Sequence, residues 1–264
     1  MNKKDIIEKT ASEAGISRVR AEKLVNGIAG LLLNDLFNFR SNVITKYSRP
    51  QFSIDKLAEY MVSRPSRRQV IVKNQKAKRP FFIEYHKDAR RIISEFISEN
   101  MSEEDYWEAF YNIKNKKIRT DISEAKQNIC LSALEEFEKI MYDVDFPQYK
   151  KKLGRISQKK VFLHRIEIKA HPDIILYNDK GSVRGAIQLI FNNDRKRESL
   201  ENEYLSTILF QYMRLLYDMD IKNTDCYIVD IFNSVIETAP MSYKKIILDI
   251  SASCEEIKDT WKRV

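Results

Sequence analysis

Two stretches of this sequence carry positive charge with no acid among them. From Arg64 to Arg79 stand Arg64, Arg67, Arg68, Lys73, Lys76, Lys78 and Arg79, seven basic side chains and no Asp or Glu. Lys150, Lys151, Lys152, Arg155, Lys159 and Lys160 form a second such stretch. A segment of one sign repels itself unless something acidic meets it. Guanidinium groups grip phosphate through paired hydrogen bonds, and lysines add point charge. Phe81, Phe82 and Tyr85, just after the first stretch, offer faces on which bases can stack. The expectation is a phosphate-binding surface. A solvated basic loop beside a buried aromatic strand is the competing reading of the same residues.

The charge balance of the whole chain agrees with a polyanionic partner. Residues 1–160 hold 32 Lys and Arg against 22 Asp and Glu, while residues 161–264 hold 14 against 16, so the net +8 is concentrated in the first part. Releasing counterions from nucleic-acid phosphates rewards such clustering. At 43% hydrophobic and 32% charged the chain reads as globular and not as disordered. It has no apolar run long enough to cross a bilayer, so no membrane partner is expected. The opening MNKKDIIEKT has lysines but no apolar stretch behind them, unlike a secretory signal. Cys130, Cys226 and Cys254 are far apart and none forms a CxxC pair, so neither a disulfide frame nor a zinc site is indicated. Reduced thiols and a cytoplasmic location follow as expectations.

The elements that must position these residues fall into two parts. Residues 1–120 read as a mainly helical, basic region. Helices are expected at 5–13 and 17–33, at 53–62 opened by Ser53, at 87–100 and at 103–113. The first 33 residues, MNKKDIIEKTASEAGISRVRAEKLVNGIAGLLL, resemble the N-terminal helical hairpin of HU-type histone-like proteins. The likeness ends there, because FNFRSNVITKYSRPQFSI does not match that family's sheet and basic arms. In that family these helices build the dimer. A homo-oligomer is left open, and a plain helical hairpin accounts for the same residues.

Residues 121–264 change in character. A long helix from Asp121 to Tyr142 buries Cys130, Leu134, Phe137 and Met141, and Gly154 turns the second basic stretch into a loop. VFLHRIEIKA alternates as one strand, with His164, Ile166 and Ile168 on one face. HPDIILYN is a second strand, residues 178–181 a turn, and VRGAIQLIFN a third strand, apolar on both faces and therefore central. A helix from Leu200 to Met219 directs Tyr204, Ile208, Tyr212, Leu215 and Met219 inward, residues 225–233 form another buried strand, and a helix near 254–262 closes the chain.

The order from Asp121 to Asn233 is thus helix, three strands, helix, strand. Together with His171-Pro172-Asp173 opening the second strand, it resembles the PD-(D/E)XK nuclease core. The fold class expected is α+β or α/β, with a helical N-terminal region followed by an αβββαβ restriction-endonuclease-like core around a mixed central sheet. The resemblance implies a phosphodiesterase site on Mg²⁺ or Mn²⁺, with Asp173 as the first acidic metal ligand. It puts Gln188 where the family has its second acid and Ile190 where it has its lysine. Gln188 offers a carbonyl oxygen without charge, and Ile190 can neither orient water nor offset negative charge. Losing one acid–base partner costs ~10²–10⁴ in rate. Lys169, at the end of the first expected strand, is the candidate replacement lysine, with Lys196 as another. Glu167, Glu135 and Glu138 are candidate further acids.

The reading is a nucleic-acid-binding protein, DNA foremost, with a restriction-endonuclease-like fold and a degenerate nuclease site. Its alternatives are an active Mg²⁺-dependent DNA or RNA endonuclease of a restriction or phage-defence system, and a protein-interaction module without nucleic acid.

Overall fold

The computed structural model describes residues 8–9, 11–13, 21, 47–77, 85–118, 120–142, 146, 149–155, 157, 159–192, 197–217 and 220–264. Backbone contacts divide the chain into two units, Met1–Lys46 and Tyr47–Val264. In the first unit residues 8–9, 11–13 and 21 are helical, and the rest of the expected HU-like hairpin lies outside the described residues.

The second unit begins with β1 (Gln51–Ser53), α1 (Ile54–Val62), α2 (Pro65–Lys76), α3 (Lys87–Ile97), α4 (Glu103–Lys114) and α5 (Asp121–Glu138). It continues through β2 (Lys150–Leu153), β3 (Val161–Leu163), β4 (Ile166–Lys169), β5 (Ile174–Tyr177) and β6 (Val183–Ile190). Then come α6 (Ser199–Leu216), β7 (Cys226–Asp230), β8 (Val235–Thr238) and α7 (Lys244–Arg263). The fold is mixed α/β with two mixed sheets.

Among the described residues, five strands make the main sheet in the order β2-β5-β6-β7-β8. β5 runs antiparallel to both β2 and β6, β7 lies parallel to β6, and β8 returns antiparallel at the far edge. The parallel step requires a crossover, and α6 supplies it. Strand periodicity assigns the faces. In β6, Ala186 and Ile190 point into one core with Leu205, Ile208 and Leu209 of α6. Ile187 and Leu189 point into the other, with Ile92 and Ile93 of α3 and Leu134 and Phe137 of α5. Helices therefore cover both faces, and β6 is apolar on both, as its sequence predicts. Each fully buried Ile or Leu there stabilises the fold by about 1.5–3 kcal/mol.

The first core also receives α1 and α2, and the second receives α3 and α4. Residues 47–114 thus share their cores with the region after Asp121. The division between the two units falls at Lys46.

Several expected elements differ. VFLHRIEIKA is not one strand. It folds into β3 and β4, an antiparallel pair, and β4 also pairs parallel with β1 in a separate small sheet. The physical reason lies in the phase of its apolar residues. Val161 and Leu163 are buried, then Ile166 and Ile168, so the alternation slips by one residue at His164-Arg165. Both turn residues have positive φ, +45° and +71°. The first strand of the main sheet is instead β2, in the stretch expected to be a loop. Its lysines are tolerated because an edge strand faces solvent.

Residues 65–76 form helix α2 where an extended basic loop is the competing reading, with Pro65 in the first turn where its missing N–H costs nothing. The helix expected at 87–100 ends at Ile97, before Glu99 turns to φ +61°. Leu215 is 44% exposed, not inward, and the last helix begins ten residues earlier than expected, at Lys244. The turn at residues 178–181 stands as expected, closed by Gly181 N–H to the Asn178 carbonyl at 2.9 Å, with Gly181 at φ +78°.

Candidate functional site

Asp173 stands at the head of β5, where a short loop leaves β4 and enters the main sheet. Its backbone is fixed on both sides. Its N–H donates to the Ile187 carbonyl at 2.9 Å, and its carbonyl accepts from Gly154 N–H at 2.7 Å. Only a glycine permits the second contact: a Cβ on Gly154 would lie 1.8 Å from the Pro172 carbonyl oxygen.

The Asp173 side chain is 5% exposed. Its Oδ2 accepts from Leu189 N–H at 2.7 Å and from Gln188 Nε2 at 3.0 Å. Asp173 and Gln188, predicted to share a site, do meet. What the sequence does not announce is Arg90. From α3 its Nη1 donates to Asp173 Oδ1 at 2.8 Å and Oδ2 at 2.9 Å, and approaches the Leu189 carbonyl at 3.3 Å. The guanidinium lies over the ring of Phe191, 4.8 Å from its centre. His86 stacks on that ring at 5.1 Å and meets Phe232 edge-on at 5.8 Å. Arg91, the next residue, is exposed and pairs with Glu95 at 2.7 Å. Nothing in local pattern separates the two arginines. Their roles differ because the helix buries Ala89, Ile92 and Ile93, which turns Arg90 toward the strand ends.

One strand over, Asp230 ends β7 opposite Ile190 and is fully buried. It also faces a guanidinium. Arg197, with a 3% exposed side chain, places Nη1 3.3 Å from Asp230 Oδ2, and its Nε is 3.4 Å from Glu201 Oε1. Asn233 Nδ2 donates to Asp230 at 2.9 Å. The two buried aspartates at this end of the sheet are thus each paired with an arginine that sequence reasoning missed.

The other candidates are dispersed. Ile190 is 7% exposed in the core beneath α6. Lys169 is on β4 in the small sheet, with Nζ 5.4 Å above the Tyr47 ring. Glu167 pairs with Lys160 at 3.1 Å, and Glu135 and Glu138 are exposed on α5. Lys196 lies outside the described residues. The cysteines are free and buried. Burial pushes the Cys130 thiol up and the Cys254 thiol up to about 12, which disfavours the thiolate.

The basic stretches divide by use. Arg67 makes two hydrogen bonds to Glu59 Oε1, at 2.7 and 3.1 Å. Arg68 turns inward, donating to the carbonyls of Tyr60, Met61 and Ser63 at 2.9–3.1 Å and to Glu256 at 2.8 Å. Lys76 caps the end of α7 through the Trp261 and Val264 carbonyls at 2.6 and 2.9 Å. Arg64 and Lys73 are exposed. Lys78 and Arg79 lie outside the described residues. On β2, Lys150 and Lys152 are exposed, Lys152 stands 5.1 Å over the Tyr177 ring, and Lys151 pairs with Glu99.

A divalent metal at Asp173 does not fit this arrangement. Both carboxylate oxygens already face a cation, and Gln188 turns its amide N–H₂, not its carbonyl, toward them. No group of three or more His, Cys, Asp or Glu able to hold a metal occurs among the described residues. Among those residues, no helix is long and apolar enough to cross a membrane. No protein-family model matches the chain, and no curated protein matches it in sequence.

Proposed function

We propose that this is a nucleic-acid-binding protein, DNA foremost, built on a restriction-endonuclease-like core whose catalytic site has become an internal ion pair. The observation that carries the reading is the Asp173 corner. An acid heads β5 beside Gln188 of β6, and the strands β2-β5-β6-β7 run antiparallel, antiparallel, then parallel with a helical crossover. That order supports the nuclease-like core, with the β3–β4 hairpin inserted after its first strand. The Arg90 guanidinium supplies at Asp173 the positive charge that a metal supplies in an active enzyme. It cannot be lost to solvent and brings no activated water, so phosphodiester hydrolysis lacks its nucleophile. The concentration of positive charge before residue 161 supports the polyanionic partner.

The test has two arms. Fluorescence anisotropy with a labelled DNA duplex should show binding that weakens steeply as salt rises. Supercoiled plasmid incubated with the protein and Mg²⁺ or Mn²⁺ should stay intact. Metal-dependent cutting abolished by Asp173→Ala would establish an active endonuclease instead. Binding to neither DNA nor RNA at low salt would leave a protein-interaction module as the reading.

A further inference from the structure

The turn between β3 and β4 is built against its own backbone preference. Leu163 pairs with Ile166, which leaves His164 and Arg165 as a two-residue turn, with φ of +45° and +71°. Tight hairpins of this kind favour Asn-Gly, Asp-Gly or Gly-Gly, because both central residues must adopt left-handed φ. Here both carry full side chains. Conformations of this type persist where something else requires the residues, and they cluster at functional contacts.

Packing does not supply the requirement. Both residues are exposed. His164 Nδ1 meets Ser251 Oγ at 3.3 Å. Arg165 has no hydrogen-bond or ion-pair partner among the described residues. The hairpin also enters the chain between β2 and β5, as an addition to the main sheet. Lys159 and Lys160 precede β3 at the other end of the hairpin, where Lys160 pairs with Glu167 and Lys159 reaches the Leu215 and Leu216 carbonyls at 3.5 Å, so Arg165 is the cation at the turn itself. Phe162, between them and the turn, is 43% exposed.

We propose that the His164–Arg165 turn is a contact point for the phosphate backbone of a double-stranded nucleic acid, with Arg165 as the phosphate-binding side chain. This rests on the nucleic-acid reading above and names a residue that makes the contact. The two-residue turn places Arg165 at the apex of a hydrogen-bonded hairpin, so less backbone freedom is lost on binding than from a long loop.

The experiment compares wild type, Arg165→Gln and the double variant His164→Asn/Arg165→Gly, using duplex DNA and duplex RNA of the same sequence across a salt series. The Asn-Gly turn should melt at or above the wild-type temperature yet bind several-fold more weakly. The slope of log affinity against log salt should fall by about one, the signature of one lost phosphate contact. Arg165→Gln should lose the same slope, which assigns the effect to the guanidinium. The arm in which the slope changes identifies the helix bound. Wild-type affinity and slope in the Asn-Gly variant, or a lower melting temperature, would overturn the proposal. Failure of the wild type to bind either duplex would overturn the functional reading and this inference with it.

Discussion

One nitrogen of Arg90 holds both carboxylate oxygens of Asp173, at 2.8 and 2.9 Å, across the junction between α3 and β5. The pair joins a helix of one layer to the strand ends of the main sheet, and Asp173 is nearly sealed from solvent while Arg90 is 31% exposed. Removing the arginine strands a buried charge. Removing the acid releases a cation that water can reach.

Arg90→Ala should therefore destabilise more than Asp173→Ala, and the double variant less than the sum of the two. The coupling energy in chemical denaturation should be on the order of 1–3 kcal/mol, toward the lower end because Arg90 is partly solvated. With Arg90 gone, Mn²⁺ should raise the melting temperature of the variant and leave the wild type unmoved. Equal shifts in both would show that Arg90 does not stand in for the metal.

Gly154→Ala should disturb the same corner from the opposite side. The new methyl has a backbone carbonyl 1.8 Å away and no flexible side chain to displace, so Gly154 and Pro172 must separate. The expected cost is about 2 kcal/mol, or roughly 4–8 °C in melting temperature for a chain of this size. A melting curve superimposable on wild type would refute the close approach.

The cations of α2 should separate into two kinds. Arg68→Ala removes a side chain that holds three carbonyls and Glu256, so it should lower stability by about 1–3 kcal/mol. Arg64→Ala and Lys73→Ala should leave the melting temperature within about 1 °C and weaken nucleic-acid binding evenly across sequences. A binding loss confined to Arg68→Ala would reverse the assignment.

Stability should also respond to pH through two glutamates of opposite sense, the buried Glu59 and the half-buried Glu237. Burial raises the Glu59 pKa, but Lys56 and Arg67 outweigh it and hold the carboxyl below its ordinary 4.5. Its contribution is present above pH 4.5 and lost as pH falls through the lower folded value. Glu237 is pushed up by burial and then by the charge of Glu203. It favours the fold below its ordinary pKa, and that advantage disappears as pH rises through the folded value. Glu59→Gln should flatten the acid limb of the stability profile, and Glu237→Gln should stabilise at neutral pH. Denaturation midpoints from acid to neutral pH check both.

Much of the sheet was legible because apolar periodicity reports burial directly. The two-faced apolar pattern of β6 located the centre, and the turn at residues 178–181 separated β5 from it. The β3–β4 hairpin was also written in the residues, as the one-residue slip in phase between Leu163 and Ile166, but His-Arg is not a turn signature. β2 was hidden because lysines mask strand character at an edge. At the site, Asp173 and Gln188 could be placed from the chain order. Arg90 and Arg197 could not, since an arginine that neutralises a distant aspartate looks locally like one that faces water.

The lysines of β2 have a consequence beyond any ligand. Lys150, Lys151 and Lys152 lie on β2, the edge strand of the main sheet among the described residues, which a strand of another copy could extend. Docking a second β2 would bring the exposed Lys150 and Lys152 of the two copies together. This row keeps the sheet finite. It guards a concentrated solution of the protein against edge-to-edge aggregation, at the margin where a strand of valine or threonine would invite it.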